Sequence, residues 1–263
     1  MPKKPNYMNY LLNCLPSKGV ETDWNYSQAV SAGVAKALEP PPAKDLREGN
    51  DWWTIRDQKA TGACVGFATA DGVLRWHLVT AKRILPQNKP SPRFIWMASK
   101  ETDEDNSYPT TFIELAGTFL KQAIIVAQKF GCVLEKDLAM KGGLYPNTPE
   151  EFYAKAARLR ISSYHNLGRD LKAWRTWLAN QGPILTRLDV DRTWDEADKT
   201  KGVLKTFQPS TTRGGHAVCL VGYTPDYFIV RNSWGDKWGD KGFAYAYDEY
   251  AAQAFSEAYG VIL

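Results

Sequence analysis

The sequence predicts an α+β protein of two lobes, helical over about residues 60–180 and strand-rich over about residues 183–263, with a cleft between them. Three observations carry that expectation. Through the first half, apolar residues recur at helical spacing behind clear capping residues. Beyond Pro183 the period becomes two, with Ile184, Thr186, Leu188 and Val190 alternating. A chain of 263 residues, 44% hydrophobic, can bury one substantial core or two lobes that share a cleft.

In chain order, residues 1–40 form a leader of mixed character, which Pro40-Pro41-Pro42 sets off as an extended breaker. The leader is expected to pack on the surface of a single domain over residues 41–263, or to be partly mobile. Thr61-Gly62-Ala63 reads as a cap and small-residue turn opening a helix at Cys64, with Phe67, Leu74 and Leu78 at helical spacing. Ser91 and Pro92 read as N-cap and first-turn proline of a helix reaching about Lys100. Residues 118–130 are helical in pattern and Gly131 suits their C-terminal cap. Thr148-Pro149-Glu150-Glu151 is a capping box for a helix to about Arg160, and Asp170 opens another that ends near Gly182. Strands follow around His216, Ile229 and Ala244, whereas residues 191–212, polar and poor in pattern, read as a long surface loop.

Two distant segments carry chemistry: residues 58–67 (QKATGACVGF) and residues 214–242 (GGHAVCLVGYTPDYFIVRNSWGDKWGDKG). Together they supply a thiol, an imidazole and two side-chain amides, the groups that thiol-based acyl transfer needs. At a helix N-terminus the free N–H groups and the helix dipole would favour the Cys64 thiolate. His216 lies in an alternating run, and a turn at Thr224-Pro225-Asp226 leads to a second strand ending at Asn232. A hairpin about that turn would set Asn232 roughly opposite His216, where its amide oxygen can take the imidazole N–H. Trp234 and Trp238, beside glycine turns, would shield that hydrogen bond from water. Gln58 can reach back as a donor and form an oxyanion hole with the Cys64 N–H. A lone buried cysteine or strand histidine is ordinarily structural; the coincidence of four groups sets this chain apart.

Gln58 and Cys64 at their separation, Gly215-His216-Ala217-Val218, and Asn232-Ser233-Trp234-Gly235 with Trp238-Gly239 and Gly242 resemble papain-like (C1 family) cysteine peptidases over roughly residues 41–263. Residues 44–47 ahead of Asp57-Gln58 are similar to the start of the mature domain in bacterial-type members. The resemblance implies the papain-like two-lobe fold, with a helical lobe and an antiparallel β-barrel-like lobe. It implies a cysteine endopeptidase with Cys64, His216, Asn232 and Gln58 as its catalytic set, and a protein or peptide substrate. An amidase, deamidase or acyl-transferase on the same fold is the alternative, or a silent binding module. Thr61 stands where many members carry a disulfide cysteine, and Val65 replaces the usual tryptophan; neither removes a reacting group. Asn106-Ser107-Tyr108-Pro109 and Ala116-Gly117-Thr118 are both counterparts for the family's substrate-binding glycine segment, and the residues that later shape the specificity pocket are expected to be missing. Papain-like zymogens carry a longer pro-segment that fills the cleft in reverse. The short leader here implies synthesis without self-inhibition or control by an inhibitory or regulatory protein.

Composition excludes several other classes. The net charge of +4 is spread along the chain without a basic block, which gives no support to nucleic-acid binding. No apolar stretch is long enough for a membrane span and no secretory signal is recognisable, so the expected location is cytoplasmic, or outside by a route without a classical signal. Four cysteines without a Cys-x-x-Cys pair fit a reducing compartment. Cys14, Cys132 and Cys219 read as structural or incidental. With three histidines, none paired at ligand spacing, neither metal nor cofactor is expected. Trp174 and Trp177 read as packing residues, and the acidic run at Glu101, Asp103, Glu104 and Asp105 as a solvated turn.

Overall fold

In the computed structural model, residues 7–103 and 117–263 are described. The leader supplies β1 (Cys14–Leu15) and α1 (Tyr26–Ser31), and β2 (Lys44–Asp45) follows it. The helical lobe then holds α2 (Cys64–Gly66), a π-helical stretch (Phe67–Leu74), α3 (Arg75–Thr80), α4 (Pro92–Thr102), β3 (Thr118–Phe119), α5 (Leu120–Lys129) and α6 (Pro149–Ala157). After β4 (Ser163–Asn166) and α7 (Leu171–Asn180) come β5 (Ile184–Val190), α8 (Arg192–Asp195), β6 (Val203–Leu204), β7 (Gly214–Tyr223), β8 (Tyr227–Arg231), β9 (Phe243–Tyr247), α9 (Asp248–Ala254) and β10 (Phe255–Ile262).

The sheet runs β4-β10-β5-β7-β8-β9-β6 with β2 pairing off β7, and it is antiparallel except for the β6–β9 pair. The helices begin where their caps place them. Ser91, Thr148 and Asp170 each accept a hydrogen bond from a backbone N–H in the first turn, and proline follows the first two. Thr61 is the exception. Ala63 is the N-cap of α2, and the Thr61 hydroxyl donates to Gln58 O (2.6 Å), inside the turn that carries Gln58.

The Cys64 helix lies against β7 at the boundary of the lobes. Gly72 permits the approach, since a Cβ there would stand 3.1 Å from the Cys219 Cβ. Cys219 is core, as expected, and faces that helix at Gly72. Behind the helix, Asp71 is buried among guanidinium groups: Arg231 Nη2 at 2.7 Å, Arg75 Nη1 at 3.2 Å and Arg56 Nη1 at 3.7 Å. Arg56 also pairs with Glu135. Arg231 ends β8 and Asp71 sits in the π-helical stretch, so this charge cluster joins the two lobes.

Two segments differ from expectation. Residues 191–212 are not merely a solvated loop: they contain α8 and β6, and bury Asp191, Trp194, Ala197 and Leu204. The reason is that Trp194 fills the space above β7, which polarity of the surrounding sequence conceals. Asp103, read as part of a solvated turn, is buried; Glu104 and Asp105, like residues 106–109 and Ala116, lie outside the described residues. Among the described residues no helix is long and apolar enough to cross a membrane.

Candidate active site

Gln58, Cys64, His216 and Asn232 converge where the Cys64 helix meets β7 and the segment after β8, and all four are buried. Cys219 pairs with Arg231 across the hairpin, so Asn232 emerges one step further along, beside the His216 side chain. His216 Nε2 donates to Asn232 Oδ1 at 2.8 Å, and the Ser233 N–H donates to the same oxygen at 2.8 Å. With Nε2 protonated, Nδ1 is the basic nitrogen, and it has no hydrogen-bond partner although buried. Gln58 Nε2 donates to Thr61 O (2.9 Å), while Gln58 Oε1 accepts from Ser233 Oγ (2.7 Å). Ser233 thereby fixes which end of the amide faces the Cys64 turn.

An aromatic enclosure surrounds the imidazole. The Trp234 ring lies 5.0 Å from His216, and Trp194 meets it edge-on at 5.7 Å and 84°. Trp238 stands behind them and donates from Nε1 to Trp194 O (2.9 Å). Trp194 is held in turn by Tyr250 Oη (2.9 Å), which donates to buried Asp191 (2.8 Å). Sequence reading missed Asp191, Trp194, Ser233 and Tyr250. A large aromatic residue inside a polar stretch was the available signal for Trp194.

The leader crosses this site. Tyr10 stacks on Trp234 at 4.9 Å and donates to Asp57 Oδ1 (2.9 Å). Asn13 bridges to Gly215, Thr118 N–H donates to Asn13 O (2.9 Å), and β1 runs parallel to β3. Leu15 fills the open face of Gly117. Arg187 Nε donates to Cys14 O (3.0 Å), and Ser17 N–H donates to Glu257 Oε1 (2.8 Å). Gly215 makes room for this strap, since a Cβ there would collide with the Cys14 carbonyl and stand 2.6 Å from Arg187 Nη2. Further along the leader, Trp24 O and Asp23 accept from Asn166 N and Tyr259 Oη, while its first part runs through the cleft. Of the two candidate substrate-binding segments, Gly117 and Thr118 are the residues that carry the strap.

Covering the site changes its electrostatics. Burial pushes the Cys64 thiol up, and the N–H groups of Ala217, Asn13, Val65 and Cys64 itself, which approach the sulfur, pull it partly back. Burial pushes His216 down to about 4, against the raising effect of its bond to Asn232. Beneath the strap the pair is therefore a neutral thiol and a neutral imidazole, and the thiolate expected from the helix terminus alone is not favoured. Among the described residues no group of three or more His, Cys, Asp or Glu is placed to hold a metal ion.

A buried thiol met by the Ala217 N–H, next along the strand from an imidazole that an amide orients, at the junction of a helical and a strand-rich lobe, defines a class of thiol-dependent two-lobe proteins. The profile of the papain family cysteine proteases matches residues 40–258, and the chain belongs to that family. It is 26% identical over 219 residues to vignain of Phaseolus vulgaris, covering 79% of this chain and 54% of that protein. It is 33% identical over 216 residues to cysteine proteinase 2 of Leishmania pifanoi, covering 77% of this chain and 44% of that one. The chain thus spans about half the length of the curated relatives it matches. The crystal structure of xylellain, a cysteine protease from Xylella fastidiosa, superposes with a TM-score of 0.76 at 22% identity, covering 100% of this chain and 98% of that one. A procathepsin B of Trypanosoma congolense superposes at 0.71 with 17% identity, covering 97% and 87%. The fold is the papain-like α+β two-lobe fold.

Proposed function

We propose that this protein is a cysteine endopeptidase that works through a Cys64 thioester and is held inactive by its own leader. The observation that carries the reading is the His216 imidazole, bonded at Nε2 to Asn232 at 2.8 Å and left with an unpartnered Nδ1, on the strand whose next residue, Ala217, turns its N–H to the Cys64 sulfur. In this reading Cys64 sulfur attacks the peptide carbonyl as His216 Nδ1 takes the thiol proton. Negative charge on the carbonyl oxygen is met by the Cys64 N–H and Gln58 Nε2, and His216 passes the proton to the leaving amine. A water deprotonated by the same nitrogen then hydrolyses the thioester and restores the thiol. Asn232 holds the imidazole in one tautomer throughout.

Because the strap occupies the cleft, substrate enters only after residues 11–15 leave it. Their departure rehydrates Cys64 and His216 and removes the burial that keeps both neutral. The substrate is a protein or peptide in extended form, since the strap makes the backbone contacts of an added strand. All four cysteines are unpaired, which supports a reducing compartment.

The test is mass spectrometry of a broad peptide library after incubation with the wild type, with Cys64→Ala, and with a variant lacking residues 1–15. Cleavage by the wild type or the shortened protein but not by Cys64→Ala is the expected result. Intact peptides throughout, or undiminished cleavage by Cys64→Ala, would sink the reading.

A further inference from the structure

The strap turns alternate side chains towards the helical lobe: Leu11 borders a cavity beside Thr61 and Gly62, the Asn13 amide packs against Gly62, and Leu15 lies on Gly117. The cavity at Leu11 encloses about 330 Å³ between the turn before Cys64 and α4. Trp96 of α4 forms one wall and packs with Ala63 and Phe67 on either side of α2, while Met97 and Met140 extend the apolar lining. Gly66 lets α4 sit this close, since a Cβ there would stand 2.9 Å from the Trp96 Cβ. Apart from Thr61, whose hydroxyl is donated to Gln58 O (2.6 Å), the polar side chains of the wall only donate. Trp96 is 7% exposed, and its Nε1 N–H has no acceptor. Arg93 spends Nη1 on the carbonyls of Ala139, Gly142 and Gly143 (3.2, 3.0 and 3.5 Å), and its other nitrogens bond to no protein atom among the described residues. Lys100 is buried with its ammonium 4.6 Å from the Trp96 ring centre. Among the described residues no carboxylate lines the cavity. A buried donor without an acceptor is costly, and Leu11 brings none.

From this wall of donors we infer that the cavity is a substrate subsite for an acidic side chain, glutamate above all, on the extended peptide that replaces the strap. The inference rests on the reading of the protein as an endopeptidase and names the substrate class of that site. An extended chain on the path of the strap turns alternate side chains to the helical lobe, as residues 11, 13 and 15 do, so one of them enters where Leu11 lies. A glutamate there lays its methylenes along Met97 and Met140 and offers its carboxylate to the Trp96 N–H and to Arg93. The orphaned donor gains an acceptor, and the guanidinium gains a partner whose geometry suits it. Leu11 covers the same wall without satisfying it. The leader is therefore a poorer occupant of this subsite than the substrate it excludes, which is what a cover that must be displaced requires.

The experiment uses the full chain and lets the strap itself probe the cavity. Leu11→Glu and Leu11→Lys are compared by the rate at which iodoacetamide alkylates Cys64, which reads how often the strap lifts. Leu11→Glu should react roughly tenfold more slowly than Leu11→Lys, because only the carboxylate pairs with the wall. In Arg93→Gln, and separately in Trp96→Phe, that ratio should shrink towards one; a variant that merely loosens the strap speeds both members of the pair and leaves the ratio alone. Equal rates for Leu11→Glu and Leu11→Lys, or a ratio that survives both wall variants, would overturn the subsite. The second arm is the cleavage of a peptide library by the wild-type chain, where glutamate should be enriched at one fixed position from the cleaved bond, and Arg93→Gln should remove the enrichment. Cleavage without acidic enrichment refutes the subsite and leaves the endopeptidase standing. Intact peptides throughout refute the endopeptidase, and the alkylation ratio then decides by itself whether the cavity takes a carboxylate.

Discussion

His216 is held by three side chains: Asn232 on its Nε2, and Trp234 and Trp194 over its ring. The indoles keep water from competing for the Asn232 oxygen, so the hydrogen bond is made in a lower local dielectric. Trp194→Ala should lower kcat roughly tenfold, about 1.4 kcal/mol of transition-state stabilisation, with a smaller change in KM, as measured on a fluorogenic peptide. Gln58 and Ser233 form a comparable pair. Gln58→Ala should lose on the order of 10²–10³ in kcat if its amide meets the oxyanion. Ser233→Ala leaves that amide in place but unanchored, so its loss should be roughly tenfold. Equal losses in the two would place Gln58 outside the oxyanion hole.

The strap is an element whose hold comes from side chains and a few backbone bonds. Tyr10 on Trp234 and Asp57 ties one end, and Arg187 with Glu257 ties the other. Tyr10→Ala removes a stacked ring and a hydrogen bond at once, about 1–2 kcal/mol, and should raise the initial rate of Cys64 alkylation roughly tenfold. The pH dependence follows from burial. In the closed protein His216 is held down to about 4 and the Cys64 thiol is raised, so little thiolate exists near neutrality. Opening moves both groups back towards the charged pair, the thiol downwards and the imidazole upwards. The alkylation-rate profile of the Tyr10→Ala protein should therefore rise at lower pH than that of the wild type; coincident profiles would mean that the strap does not control the thiol. The Cys64 helix and the β7–β8 hairpin were legible in sequence because apolar spacing and turn residues are local signals. The strap was not, since its contacts to Gly215, Thr118 and Arg187 span most of the chain and leave no period in residues 7–17.

Across the whole molecule, the lobes are joined by the buried cluster of Asp71 with Arg231, Arg75 and Arg56. Removing the single carboxylate leaves guanidinium groups buried and uncompensated, so Asp71→Ala should cost about 3–5 kcal/mol of stability in urea denaturation. Two histidines add a pH term. His77 and His216, both buried, are each pushed down to about 4. Between that value and their ordinary 6.5 the unfolded chain binds more protons than the folded one, so stability is full above the upper limit and falls as pH drops through the window. Each site accounts for a loss on the order of 3 kcal/mol. The urea midpoint should fall between about pH 7.5 and about pH 5, and His77→Leu should lessen that slope.

The order of helices before strands, the caps at Ser91, Thr148 and Asp170, and the residue types needed for thiol chemistry were set down in the sequence itself, because propensity, capping and chemical identity belong to single residues and their near neighbours. Tertiary structure decided what lies far apart along the chain. It brought Trp194 over His216 from a stretch that reads as loop, turned Gln58 with Ser233, and laid Asn13 against the Cys64 turn. It also decided the protonation of the site. A helix terminus favours a thiolate in water, but beneath the strap desolvation outweighs that local field, and only packing determines how much water a thiol and an imidazole can reach.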